Sequence, residues 1–127
     1  MNGTNIVIDA NAVIHLIDQR CDFAALGLNI DEGRLFTSVI VRMELLSKRD
    51  MQDDEEQDIK DFLEDLTIIP LSEEIERTAI ALRRAGSLKL PDCIVAATAI
   101  VLDALLLTND DHLLKLSWPG LRTQRIV

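Results

Sequence analysis

The sequence predicts an α/β domain with a mainly parallel five-stranded sheet covered by helices on both faces. Short apolar runs alternate along the chain with longer stretches of helical periodicity, which is the pattern of repeated strand–helix units. The runs are apolar throughout, as in strands that helices cover on both faces. A chain of 127 residues can bury one hydrophobic core, so we predict a single domain over residues 1–127.

The first part of the chain contains two strand–helix units separated by an irregular segment. The apolar run Asn5–Asp9 predicts the first strand, and Ala12–Asp18 carries apolar residues at helical spacing. The range Cys21–Gly33 has two glycines and weak periodicity, which predicts a loop with room for one helical turn. Arg34–Ser38 predicts the second strand. Val39–Ser47 fits a helix with Ser38 as its N-cap, although its β propensity also permits a longer strand.

The rest of the chain continues this alternation. The polar range Lys48–Asp58 predicts a solvated turn and a helix start, and that helix continues to Leu66. Ser72 is the predicted N-cap of a helix that runs to Ala85 and stops at Gly86. An apolar, and therefore buried, helix runs from Pro91 to about Leu102. We predict the third strand at Thr67–Leu71 and the fourth at Ala104–Thr108. A short helix is predicted at Asp110–Leu116 and the last strand at Leu121–Val127.

The composition restricts the classes of function. A formal net charge of −9 disfavours a protein that holds nucleic acid by diffuse positive charge, and four aromatic residues disfavour a base-stacking platform. The negative charge still permits an enzyme that meets phosphate through metal ions, and it favours a basic protein partner. Cys21 and Cys93 have no metal or redox spacing, and no apolar run approaches the roughly 18–20 residues of a membrane span. We therefore expect a soluble, cytoplasmic protein with reduced thiols.

Four carboxylates lie at the ends of strands or the starts of helices. Asp9 ends the first strand, Glu44 lies two turns into the helix after the second, Asp92 lies in the first turn of the apolar helix, and Asp110 follows the fourth strand. In a parallel sheet these places share one edge, where α/β folds bind ligands. Taken singly, Asp92 and Asp110 also fit acids that stabilise a helix start, and Glu44 fits a solvated side chain. Together, clustered carboxylates indicate a site for Mg²⁺ or Mn²⁺.

The sequence resembles the PIN-domain ribonucleases and, within them, the VapC toxins of type II toxin–antitoxin pairs. The resemblance covers essentially the whole chain and implies their three-layer, Rossmann-like fold. It rests on four blocks, Ile6–Ile14, Ser38–Leu46, Lys89–Ala99 and Leu106–Asp110.

By this resemblance Asp9, Glu44, Asp92 and Asp110 are the catalytic acids that hold one or two Mg²⁺ or Mn²⁺ ions. Asn11 and Thr108 match polar positions that orient these carboxylates. Asp111 leaves one alternative open, because it is adjacent to Asp110 and is able to replace or assist it. Leu113 stands where many relatives carry an aromatic residue, which should affect packing more than chemistry.

The expected partners also follow from this resemblance. They are an RNA substrate, a second copy of the chain, and a small antitoxin whose basic tail lies over the acidic site. Arg42, Lys48 and Lys89 are basic residues placed in the sequence to flank this edge and contact RNA phosphates, although solvated helix faces are the default interpretation. His15 and His112 lie near Asn11 and Asp110 in sequence and are candidates for proton transfer, but a structural or surface histidine is the simpler interpretation.

Other folds that begin with an acid-ended strand fit less well. A haloacid-dehalogenase-type phosphatase needs a second aspartate where this chain has Asn11, and a response-regulator receiver needs an acceptor aspartate where the third strand ends in Pro70-Leu71. The alternative from another class is a catalytically silent PIN-like domain that binds RNA or protein. All four acids are present, which favours the enzyme.

Overall fold

A computed structural model of the chain describes residues 5–19 and 34–126, and these residues form five strands and six helices. The strands are β1 (Ile6–Ile8), β2 (Leu35–Ser38), β3 (Thr67–Ile69), β4 (Leu105–Leu107) and β5 (Arg122–Gln124). The helices are α1 (Ala10–Gln19), α2 (Val39–Leu46), α3 (Asp53–Glu64), α4 (Glu73–Ala85), α5 (Leu90–Val101) and α6 (Asp111–Leu114). None of the helices in these two ranges is long and apolar enough to cross a bilayer. The loop predicted for residues 21–33 lies outside the described residues.

The five strands form one sheet in the order β3-β2-β1-β4-β5, and every pair of neighbours is parallel. The predicted α/β fold is therefore confirmed, and the sheet is parallel throughout. The central strand β1 has no exposed surface at Ile6, Val7 or Ile8, which explains its continuous apolar run. The edge strands are more polar, and Thr67 and Arg122 are exposed there.

The connections between strands put helices on both faces of the sheet. The chain moves from β1 to β2 to β3 in one direction and then returns past β1 to β4 and β5. Because parallel crossovers are right-handed, this reversal places the helices before and after it on opposite faces. Helix α5 packs against β1, β2 and β4, while α1 packs against α2 and α3.

Helix α5 is the buried helix that the sequence predicts. Its buried side chains are mostly small, so α4 and the sheet approach it closely; they are Cys93, Val95, Ala96, Ala97, Thr98 and Ala99. The thiol of Cys93 is free, as expected, whereas Cys21 lies outside the described residues. The helix begins at Leu90 with Lys89 as N-cap, so Pro91 is its second residue rather than its first.

Several other element boundaries differ from the prediction by a few residues. Strand β1 ends at Ile8 and α1 already begins at Ala10, because the Asp9 carbonyl accepts the Val13 N–H as the first hydrogen bond of the helix. Helix α6 and strand β5 are both shorter than predicted. The predicted N-caps are confirmed, since Ser38 accepts from the Ile40 N–H and Ser72 from the Ile75 N–H.

Candidate active site

The candidate site lies where the carboxyl ends of β1 and β4 meet. The strand order reverses between these two strands, and the crevice at such a reversal is where open α/β sheets bind ligands. Asp9 and Asn11 follow β1, while Thr108 and Asp110 follow β4. The topology thus brings residues about 100 positions apart in sequence to one place, since the Thr108 and Asp9 side chains share a hydrogen bond across 99 residues.

Asp9 is a buried carboxylate with a hydrogen-bond donor at each oxygen. Its Oδ1 accepts the Ala10 N–H at 2.8 Å, and its Oδ2 accepts the Thr108 hydroxyl at 2.7 Å. The side chain is only 5% exposed, and burial raises the pKa of Asp9, with a smaller contribution from the charge of Asp110. The two hydrogen bonds oppose this rise in pKa and hold the carboxylate in one orientation.

Thr108 links Asp9 to the loop that carries Asp110. Its hydroxyl oxygen accepts the Asp110 N–H at 3.0 Å while its proton is donated to Asp9. Asn11 supports the same loop, because its Oδ1 accepts the Asn109 N–H at 3.0 Å. The Thr108 side chain therefore contacts the Asp9 carboxylate, and the Asn11 side chain contacts the backbone beside Asp110.

Asp110 also caps helix α6. Its Oδ1 accepts the His112 N–H at 2.8 Å and, more weakly, the Leu113 N–H at 3.4 Å. The helix-start role that the sequence left open for Asp110 is therefore present in the structure. The charge of Asp110 nevertheless raises the pKa of both Asp9 and Asp92, so it also acts on the other acids.

Glu44 and Asp92 reach the same electrostatic environment from α2 and α5. Glu44 is exposed on α2, yet partial desolvation raises its pKa, and the charges of Asp9 and Asp92 raise it further. Burial raises the pKa of Asp92, followed by the charges of Asp110 and Asp9, while Lys89 and His112 partly oppose this. An acid that only stabilised a helix start would have its pKa lowered by the dipole. The pKa of Asp92 is raised instead, by burial and by like charge.

These four residues, Asp9, Glu44, Asp92 and Asp110, are called the acidic cluster below. Their mutual repulsion and their hard oxygen atoms suit a divalent cation such as Mg²⁺ or Mn²⁺. Among the residues that the structure describes, no three acidic, histidine or cysteine side chains are placed so that they could hold an ion together. The cluster thus fits a metal ion by charge and by donor type, and ligation would require its side chains to converge.

Asp111, the alternative to Asp110, has a different environment. It is exposed and forms an ion pair with Arg125, which lowers the pKa of Asp111. Its charge is not among the causes that raise the pKa of Asp9, Glu44 or Asp92. The geometry therefore favours Asp110 as the fourth member of the cluster.

The three basic residues proposed to contact RNA are separated in the structure. Lys89 lines a cleft of about 320 Å³ together with Asp92, Asp110 and His112, which is called the acidic cleft below. Lys48 is exposed and pairs with Glu55 at 2.8 Å. Arg42 lines a different groove, between α2, α3 and β3. Of the three, only Lys89 lines the acidic cleft.

Asn109 gains a role that the sequence did not reveal, and the structure separates the two histidines considered from sequence. Asn109 accepts the Ile126 N–H at 2.9 Å through its side chain, so it ties the residues after β5 to the site. His112 lies 3.5 Å from Asp110 through its Nδ1 and lines the acidic cleft, whereas His15 is half-buried on α1. The only sign of a role for Asn109 in the sequence was its position beside Asp110. That position does not reveal that its side chain accepts the N–H of Ile126, 17 residues away.

Comparison with known proteins identifies the family. The PIN-domain family model matches residues 6–119. Among curated protein sequences, none matches the chain with significance.

Several solved toxin–antitoxin structures share the fold over nearly the whole chain. A chain of VapBC2 from Rickettsia felis, bound to a DNA fragment from its promoter, has a TM-score of 0.79 and 22% identity and covers 96% of this chain and 98% of its own length. A chain of a toxin–antitoxin complex from Klebsiella pneumoniae has a TM-score of 0.70 and 27% identity, with 95% and 99% covered. A chain of DNA-bound VapBC from Salmonella typhimurium has a TM-score of 0.76 and 18% identity, with 96% and 98% covered.

These matches agree with the α/β fold described above. The resemblance to the PIN domains, first seen in four short blocks, is confirmed by the family model. The chain therefore belongs to the PIN-domain family.

Proposed function

We propose that this protein is a metal-dependent endoribonuclease that hydrolyses RNA phosphodiester bonds and serves as the toxin of a toxin–antitoxin pair. The observation that carries the proposal is the acidic cluster. Asp9 and Asp110 follow the two strands at the switch point of the sheet, and charges within the cluster raise the pKa values of Asp9, Glu44 and Asp92. A group of carboxylates that repel one another is unfavourable for stability alone. Its arrangement is explained if a cation neutralises it during function.

In this proposal each residue of the site has a defined task. Asp9, Glu44, Asp92 and Asp110 would hold one or two Mg²⁺ or Mn²⁺ ions. Such ions, when bound, supply a Lewis acid that activates water and offsets charge on a phosphate. Thr108 holds Asp9 in one orientation and fixes the backbone at Asp110, and Asn11 fixes the backbone at Asn109. Lys89 in the acidic cleft would contact a phosphate of the RNA.

The partners proposed for the chain follow from the family and from its charge. Solved relatives are VapBC complexes, which supports a cognate antitoxin, and a net charge of −9 favours an antitoxin tail rich in Arg or Lys. We also propose that the chain forms a homodimer and acts in the cytoplasm. The basic tail and the metal ions should compete for the acidic cluster, so simultaneous tight binding of both in a titration would contradict this part of the proposal.

A second candidate function is a catalytically silent PIN-like domain that binds RNA or protein. One observation favours it, since no three potential ligands in the described ranges 5–19 and 34–126 converge on a common ion. The two candidates differ in their expected activity: the nuclease cleaves RNA when a cation is bound, whereas the silent domain does not cleave RNA.

Cleavage of a panel of tRNAs and other structured RNAs tests the proposal. The wild type is compared in Mg²⁺, in Mn²⁺ and in chelator. Asp92→Asn is purified in parallel to exclude contaminating nucleases, and Asp111→Asn serves as a matched control because Asp111 lies outside the acidic cluster. We expect cutting by the wild type and by Asp111→Asn in metal only. Metal-independent cutting would contradict the mechanism, and neither cutting nor metal binding would favour the binding module.

A further inference from the structure

A second cleft opens beside the acidic cleft. It has a volume of about 360 Å³ and lies between the end of α4, helix α6 and the segment before β5. The two clefts share lining residues, namely Ser87, Leu88 and His112, so they lie side by side. The second one is called the Trp118 cleft below, because the only tryptophan of the chain lines it.

The Trp118 cleft has an apolar body and a polar edge. Leu82, Leu88, Leu116 and Trp118 line the body. Leu82 and Leu88 are buried, while Trp118 and Leu116 are partly buried and pack against the hydrophobic core. Such packing holds the indole in place, and a fixed aromatic ring offers a surface for stacking at a low cost in entropy.

The polar edge of the Trp118 cleft carries nitrogen groups. His112 and Lys115 lie on α6 and on its C-cap and line the cleft, and both side chains are exposed. Cationic and hydrogen-bonding groups beside an apolar surface suit a ligand that has a flat ring and an anionic tail. A nucleotide has this chemistry, since its base stacks and its phosphate binds the polar edge.

We infer that the Trp118 cleft is a nucleobase subsite, in which a base next to the scissile phosphate stacks on the Trp118 indole while Lys115 contacts the neighbouring phosphate. The inference rests on the proposed ribonuclease function, because it takes the acidic cleft as the place of the scissile bond. Because the two clefts lie side by side, a nucleotide next to the scissile bond would lie in the Trp118 cleft. With one aromatic residue available there, the subsite would hold one base rather than a stacked run.

A direct binding readout is available because Trp118 is the only tryptophan of the chain. The four nucleoside 5′-monophosphates contain no internucleotide bond that a ribonuclease cleaves, so they can be titrated into the wild-type protein in Mg²⁺. Homotrinucleotides can be titrated into Asp92→Asn, with their binding followed independently by anisotropy of a labelled RNA. We expect saturable quenching of Trp118 fluorescence by at least one base, beyond the quenching of free N-acetyltryptophanamide.

Variants separate stacking from packing. Trp118→Leu keeps an apolar side chain against the core but removes the ring, and it should raise the KM for RNA cleavage about 5- to 140-fold. Trp118→Phe keeps a ring, and its KM should stay within about twofold of the wild type. Lys115→Ala should weaken RNA binding and reduce the salt slope by about one. Arg77→Ala is the matched control, because it removes an exposed positive charge away from the Trp118 cleft. Arg77 lies on α4 eight residues, or about 12 Å, before Ala85, which lines that cleft.

The outcomes distinguish this subsite from the nuclease itself. RNA cleavage with an unchanged KM in Trp118→Leu, and no quenching by any nucleotide, would overturn the subsite and leave the nuclease standing. Quenching by nucleotides without any cleavage would support nucleotide binding in the Trp118 cleft but would contradict the nuclease, and with it the place of this nucleotide beside a scissile bond. Quenching by apolar peptides but by no nucleotide would overturn the inference in favour of a protein-binding cleft.

Discussion

Replacing Thr108 by valine should test how strongly the site depends on one hydroxyl group. Thr108 has no exposed surface, its hydroxyl donates to Asp9 at 2.7 Å, and its oxygen accepts the Asp110 N–H at 3.0 Å. Valine has nearly the same shape but neither donates nor accepts. Thr108→Val therefore removes both hydrogen bonds without opening a cavity.

The expected loss of stability follows from these two hydrogen bonds. A hydrogen bond to a charged group contributes about 1.5–3 kcal/mol, and an unsatisfied, partly buried N–H costs about 1 kcal/mol. Thr108→Val should therefore lower the free energy of unfolding by about 2.5–4 kcal/mol at neutral pH in chelator. With a urea slope of about 2 kcal/mol per M, the midpoint should fall by about 1–2 M. Thr108→Ser keeps the hydroxyl and loses one methyl group, so it should cost only about 1 kcal/mol.

The loss of stability should depend on pH in a defined direction. The Thr108 hydroxyl donates to ionised Asp9 and lowers the pKa of Asp9 against the larger effect of burial. Its stabilisation is therefore present when Asp9 is ionised and is lost as the pH falls through the raised pKa of folded Asp9. Urea unfolding of wild type, Thr108→Val and Thr108→Ser at pH 7 and at mildly acidic pH measures this. A Thr108→Val penalty below that of Thr108→Ser, or one that grows at acidic pH, would refute the reasoning.

Three further predictions address the other parts of the site. Asp92→Asn should raise the melting temperature of the metal-free protein, because it relieves repulsion between carboxylates. In the wild type, Mg²⁺ or Mn²⁺ at 100-fold excess over its Kd should raise the free energy of unfolding by about 2.7 kcal/mol, and Asp92→Asn should abolish this increase. Asp111→Asn should leave that metal response intact. It also removes the ion pair with Arg125, and the resulting loss of stability should become smaller as the pH falls through the lowered pKa of Asp111. Asn109→Ala should cost about 1 kcal/mol and speed amide exchange at Ile126, because its side chain accepts the N–H of that residue.

Each of these predictions has a result that would contradict it. Glu64→Gln is the charge-matched control for Asp92→Asn, because Glu64 is exposed at the end of α3. Equal stabilisation by both substitutions would point to net charge rather than to the acidic cluster. A lost metal response in Asp111→Asn would restore Asp111 as a ligand. Unchanged exchange at Ile126 in Asn109→Ala would remove the role given to the Asn109 side chain.

The strands and helices could be predicted from sequence because each depends on a local pattern. The apolar run at β1, the small apolar residues of α5 and the serine caps at Ser38 and Ser72 all act within a few residues. The start of α1 was predicted too late, because its apolar periodicity begins only at Ala12. Asp9 ends the first apolar run, but its carbonyl also accepts the Val13 N–H, so α1 begins earlier than that periodicity suggests.

The sequence by itself placed Asp9 and Asp110 after strands and Asp92 in the first turn of a helix, because these are local patterns. Glu44 lies in the last turn of α2 instead, two turns after its start, as predicted. Only the tertiary structure decided the strand order and therefore which carboxylates influence one another. Local patterns cannot show that the Thr108 hydroxyl donates a hydrogen bond to Asp9, 99 residues away. Nor can they show that Asp111 forms an ion pair with Arg125, whereas the charge of Asp110 acts on Asp92. These contacts depend on the handedness of the crossovers and on packing between elements, which no short stretch of sequence specifies.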